Sequence, residues 1–92
     1  MRNAHCRDHV RWIAPGAPDT EEARAVYDAI TRRGLTTYGE VATAVAEDLF
    51  GRDVARVGYL ADIGMFRGWY VRGACRLLER LDGVAIAIEP AG

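Results

Sequence analysis

Apolar residues recur along this chain with two periods, and each change of period marks an element. Between residues 19 and 33, Ala23, Val26, Tyr27 and Ile30 return at helical spacing. Asp19 stands at the N-cap position with Glu22 three residues on, and Glu21 and Glu22 make the first turn acidic. Arg32 and Arg33 fill the last turn, and Gly34 supplies a left-handed stop. A second helix is predicted over 38–48, where Val41, Ala42, Val45, Ala46 and then Leu49 repeat; Thr37 caps it and Glu40 completes a capping box. A third is predicted over 53–63, with Val54, Val57, Ala61 and Leu60 inward, despite a cost of about 1 kcal/mol for Gly58 relative to alanine. Between these two, residues 49–52 form a turn anchored in the core by Phe50.

Residues 65–73 are compatible with loop, strand or helix. The stripe Tyr70, Val71, Ala74, Leu77, Leu78 and Leu81 predicts a helix over 69–81. At the two ends the period becomes two. Val10 and Trp12 share one face of a strand over 9–14, and Val84, Ile86 and Ile88 share one face of a strand over 84–88. A strand needs a partner for its backbone, so these two are expected to pair, with residues 35–36 as a short third strand. The expected class is α+β, mainly helical: a winged helix-turn-helix-like domain with three to four helices and a two- or three-stranded sheet. Residues 1–18 read as an N-terminal arm with a short strand, frayed over 1–8, and residues 19–92 as the domain proper; Pro15-Gly16-Ala17-Pro18 is the linker.

Composition narrows this picture. Ninety-two residues support one modest core, and half of them are hydrophobic, which favours folding over disorder. No apolar run approaches the roughly 20 residues of a bilayer span, and the N-terminus lacks the apolar segment of a secretion signal. A cytoplasmic protein without a membrane partner is expected. Cys6 and Cys75 are too few for a disulfide framework. All 12 basic side chains besides the histidines are arginine, a bias of the whole chain that dilutes any local meaning.

Charge is more informative by position than in total. The net charge of −1 disfavours strong non-specific polyanion binding. Yet residues 19–49 carry a balance of −4 and residues 51–80 one of +3. Such a field can orient the domain on DNA or bring the basic half to an acidic protein surface.

Three sets of residues carry candidate chemistry. Val26-Tyr27-Asp28-Ala29-Ile30, Thr36-Thr37-Tyr38-Gly39-Glu40-Val41-Ala42 and Arg56-Val57-Gly58-Tyr59-Leu60 together resemble the winged-helix DNA-binding domain of alkylguanine-DNA alkyltransferases and their alkyltransferase-like relatives, over roughly a third of the chain. The resemblance implies that Tyr38 acts at a target phosphate and helps turn the nucleotide out, with the third helix as recognition helix. It implies no alkyl transfer, because the family's reactive Pro-Cys-His-Arg element has no counterpart here. The family's arginine finger falls at Ala55; Arg56 lies one residue on, about 100° around a helix. Glu47 and Asp48 also place carboxylates near the supposed DNA face.

The second set, Arg67, Arg72 and Arg76 interleaved with Trp69 and Tyr70, reads either as a basic-aromatic nucleic-acid patch or as core rim. The third, His5, Cys6 and His9, supplies only three ligand types and lacks a fourth for zinc. No nucleophile–base pair, carboxylate dyad or phosphate-binding glycine loop appears, so no enzyme, cofactor or small-molecule substrate is expected. Two functions remain. The first is a small non-enzymatic winged-helix DNA-binding protein, a regulator or recognition module, contacting double-stranded DNA through Thr37, Tyr38, Arg52, Arg56, Tyr59, Arg67 and Arg72. The second is a protein-interaction module, a homodimer or a small inhibitor docking on a nucleic-acid-processing protein.

Overall fold

Gly34 sits at φ +70°, a left-handed conformation that suits a residue without a Cβ, and this sharp stop sets two helices across one another. The computed structural model describes residues 4–51, 59–60, 65–66 and 69–91. Its elements are β1 (His9–Trp12), α1 (Glu21–Tyr27) running into a π-turn (Asp28–Arg32), α2 (Tyr38–Phe50), β2 (Tyr59–Leu60), β3 (Met65–Phe66), α3 (Trp69–Leu81) and β4 (Ile86–Glu89). The protein is a small α+β fold, with three α-helices among the described residues.

Thr20, not Asp19, caps α1: its Oγ1 accepts the Ala23 amide at 3.1 Å. Both residue types cap well; starting one residue later leaves both glutamates in the first turn. The π-turn adds a residue to the end of this helix. The Arg33 amide donates to Asp28 O at 3.0 Å and the Leu35 amide to Ala29 O at 3.1 Å. Ala25, Val26 and Ala29 are buried, while the expected Ala23, Tyr27 and Ile30 are only half-buried.

Helix α2 follows its prediction at the start and runs two residues further, to Phe50, before Gly51 ends it at φ +107°. Thr37 Oγ1 accepts the Glu40 amide at 3.3 Å and donates to Glu40 Oε1 at 2.7 Å. Val41, Ala42, Val45 and Ala46 are fully buried. Phe50 is not the anchor expected of it. It is 42% exposed, because α2 continues through it and carries its ring out to the edge of α3 beside Gly73.

Helix α3 matches its prediction, with Ala74, Leu77 and Leu78 buried against α2. The helix expected over 53–63 is contradicted at Tyr59 and Leu60, which pair as a strand with Phe66 and Met65. Helix-breaking glycines at 58 and 64 flank that pair, so a strand competes well there. The remainder of that predicted helix lies outside the described residues.

The terminal strands pair as expected. β1 and β4 are antiparallel in the register His9↔Glu89, Val10↔Ile88, Arg11↔Ala87 and Trp12↔Ile86. Val10 and Ile86 enter the core, and Arg11 Nε meets Glu89 Oε1 at 2.6 Å on the exposed face. Val84 is not in the strand. It lies in the turn before it, 71% exposed, because Gly83 and Val84 are spent in reversing the chain after α3. The outer edge of β4 is covered in turn: the Gly83 amide donates to Ile86 O at 2.8 Å, and the Ile88 amide to Asp82 Oδ1 at 3.1 Å. On its other side β1 receives the expected third strand only as one bridge, His9↔Thr37, with the Val10 amide donating to Thr36 O at 2.8 Å.

Residues 4–8 are not frayed. Asp8 is 3% exposed, and its carboxylate accepts the His5 amide at 2.8 Å and the Ala91 amide at 3.4 Å. The arm is thereby fastened to the C-terminal end of the described chain. Trp12 packs edge-on against Tyr27 at a centroid distance of 5.0 Å, and its buried indole N–H has no hydrogen-bond partner among the described residues.

Candidate functional site

The start of α2 was the sequence's main functional candidate, and the structure fills it from within. A helix N-terminus leaves amides without intrahelical acceptors, which is why such ends hold phosphates. Here the Tyr38 amide donates to Asp8 O at 2.7 Å, the Gly39 amide to Cys6 O at 2.9 Å, and the Glu40 amide to Thr37 Oγ1. Gly39 is needed for this closure. A Cβ there would lie 3.1 Å from Cys6 O and 3.2 Å from Cys6 Cβ.

Tyr38 is a core residue in this structure, 3% exposed, with its hydroxyl donating to Cys75 O at 3.5 Å. Burial pushes its phenol well above the usual tyrosine range, aided by a side-chain hydrogen bond with Cys75. A phosphate outside the molecule does not reach a hydroxyl placed this way. In this structure Tyr38 packs in the core, its side chain reaching from α2 to Cys75 on α3. Thr37 is likewise committed to the cap and to its bridge with His9.

The other expected DNA contacts are scattered. Arg72 is exposed on α3; Tyr59 is a backbone position of β2; Arg52, Arg56 and Arg67 lie outside the described residues. The cysteines are not activated. Burial raises both thiols, against the backbone hydrogen bond that favours the Cys6 thiolate and the Tyr38 contact that favours that of Cys75. Among the described residues, His, Cys, Asp and Glu form no group of three placed to hold a metal ion, and no helix is long and apolar enough to cross a membrane.

What is open is the outward side of α2. A cleft of about 410 Å³ lies between it and the π-turn. Buried Ala25, Ala29 and Ala44 form its floor, and their small side chains leave the space. Asp28, Glu47 and Asp48 line it, with Arg32 and Arg33 at the π-turn. A second depression of about 220 Å³ continues from Arg33, Ala44 and Glu47 to Leu35, Glu40 and Thr43. The two make one groove along α2. Asp28 is shared with Arg32 at 4.0 Å, the outer limit of an ion pair. Glu47 and Asp48 have no ion pair among the described residues.

Comparison with protein-family models, with curated proteins and with solved structures finds no match to this chain. The site therefore stands on its own geometry. Sequence reasoning located Glu47 and Asp48 at the end of the second helix, as carboxylates near the supposed DNA face. It missed the alanine floor, because it drew the inward stripe of this helix through Ala23, Val26, Tyr27 and Ile30, whereas Ala25, Val26 and Ala29 are the residues buried. Thr31, whose hydroxyl bonds Tyr27 O at 2.7 Å within that turn, was the one local signal of an irregular helix end.

Proposed function

We propose that this chain is a small non-enzymatic interaction module with a winged-helix-like arrangement, and that it docks a cationic protein segment in the groove along α2. The observation that carries this reading is the pairing of an apolar floor with carboxylates, Glu47 and Asp48, that have no ion pair among the described residues. An arginine or lysine side chain laid there would cover alanine with its stem and meet carboxylates with its head. The winged-helix comparison is supported by the succession of α1 and α2 across a tight glycine turn and by the β1–β4 sheet.

Chemical-shift titration of the full chain with an oligoarginine peptide tests the docking. Shifts are expected at Ala25, Ala29, Ala44 and Glu47, absent in Glu47→Arg. Equal shifts with an oligoglutamate peptide, or none with oligoarginine, overturn the reading.

Duplex DNA remains a second reading because Arg72 and Arg76 stand exposed one turn apart on α3. Mobility shifts at two salt concentrations decide it. Binding at low salt that weakens in Arg52→Ala and Arg56→Ala supports DNA; no retention at low salt removes it.

A further inference from the structure

The groove's acidic rim and the exposed arginines of α3 are parts of one surface. Glu47 and Phe50 are three residues apart on α2 and so are neighbours on its surface. The Phe50 ring in turn lies over Gly73, where a Cβ would come within 3.3 Å of it. Arg72 precedes Gly73 and Arg76 follows it by three residues; both are exposed. The strip therefore runs from Glu47 and Asp48, across a half-exposed phenylalanine, to Arg72 and Arg76.

Among the described residues neither flank is neutralised within one copy. Arg80, the next arginine on α3, is engaged by Glu22 at 3.5 Å. Arg72 and Arg76 have no ion pair among the described residues, as Glu47 and Asp48 have none. A surface with acid on one flank, base on the other and an aromatic ring between is complementary to itself after a half-turn about the ring.

We propose that the occupant of the acidic rim is a second copy of this chain, in a two-fold dimer. Phe50 of each copy packs at the centre, and Arg72 and Arg76 of each meet Glu47 and Asp48 of the other. This rests on the docking reading of the groove and names its partner. The contact is the same patch on both copies, so it closes at two and does not propagate. Phe50 supplies the desolvated anchor that charge alone lacks, and the charges set orientation and register.

Sedimentation of the full chain at low and high salt, with two double reversals, tests the proposal. The wild-type chain is expected to sediment as a dimer at low salt and to dissociate as salt rises. Glu47→Arg with Asp48→Arg makes both flanks positive, and Arg72→Glu with Arg76→Glu makes both negative. Each variant alone is expected to associate at least about 100-fold more weakly. Mixed in equal amounts they are expected to recover a dimer, because both flank pairs then join opposite charges, one as in the wild type and one with signs exchanged. All these positions lie on the surface, so circular dichroism of each variant should match the wild type. A wild-type monomer at millimolar concentration in low salt overturns the dimer, as do variants that still self-associate or a mixture that stays monomeric. If the chain is monomeric yet oligoarginine still shifts the groove resonances, only the second copy is lost; if oligoarginine also fails, the docking reading falls with it.

Discussion

At the N-terminus of α2 the first three helical amides all end on acceptors from the chain itself, whereas toward its other end the same helix holds Glu47 and Asp48 beside a groove with no ion pair among the described residues. The first region is built by residues distant in sequence: Cys6 and Asp8 reach it from the arm, and Cys75 receives its tyrosine from α3. The second is built by neighbours along one helix and by a π-turn. The contrast separates what this helix does for the fold from what it offers to a partner. Polar groups at the first region are satisfied, so changing them should cost stability; those at the second are not, so changing them should cost only binding.

The largest effect is expected at Tyr38. Tyr38→Ala removes a ring from the core between α2 and α3 and should cost about 3–5 kcal/mol in urea unfolding. Tyr38→Phe keeps the ring and loses the hydroxyl with its Cys75 contacts, so it should cost less than about 1.5 kcal/mol. A near-neutral Tyr38→Ala would erase the distinction between the two regions.

Asp8→Ala comes next, at about 1–3 kcal/mol, because it strands the amides of His5 and Ala91. Hydrogen exchange should then quicken at both amides together. A loss confined to one would show that the carboxylate does not couple them.

Alkaline pH should weaken the first region in particular. The Tyr38 phenol and both thiols are raised in the folded state. Their contribution is therefore whole below the unfolded values and lost above them, from about pH 8.5 for the thiols and about pH 10 for the phenol. Each fully titrating group adds a slope of about 1.4 kcal/mol per pH unit. Urea midpoints that stay level between pH 7 and pH 10.5, as checked with Tyr38→Phe, would contradict this.

The smallest stability effect belongs to Glu47→Gln, within about 0.5 kcal/mol of the wild type, yet it should weaken peptide binding and self-association measured on the same sample. A variant that unfolds early would place Glu47 with the fold after all.

Much of the fold was legible because its signals are local. Thr37 with Glu40, Gly34, and the stripe over α3 each lie within a few residues of the feature they specify. The β1–β4 pairing was also legible, since each strand had no other partner of its period. The failures are non-local. Phe50 reads as a core anchor by its chemistry, and only the length of α2 turns it outward. Tyr38 reads as functional by its neighbours in sequence, whereas its role is decided by Cys75 on another helix. Asp8 looked like part of a polar tail, and nothing near it in sequence marks it as buried. The groove was half visible: its carboxylates were counted, but its floor is made of alanines on two helices, whose small side chains carry little signal of which way they face.

Asp8 and the β1–β4 register have a consequence for how the chain reaches its structure. They join residue 9 to residue 89 and residue 8 to residue 91, so the closing contacts span nearly the whole sequence. Helices α1, α2 and α3 can form from local contacts early, but Val10 and Ile86 have no complete pocket until the last strand arrives. On the ribosome the helical part must wait, with that side of its core open to water, until residue 89 has emerged. Folding then finishes in one late step, and the arm seals the start of α2 only at that moment.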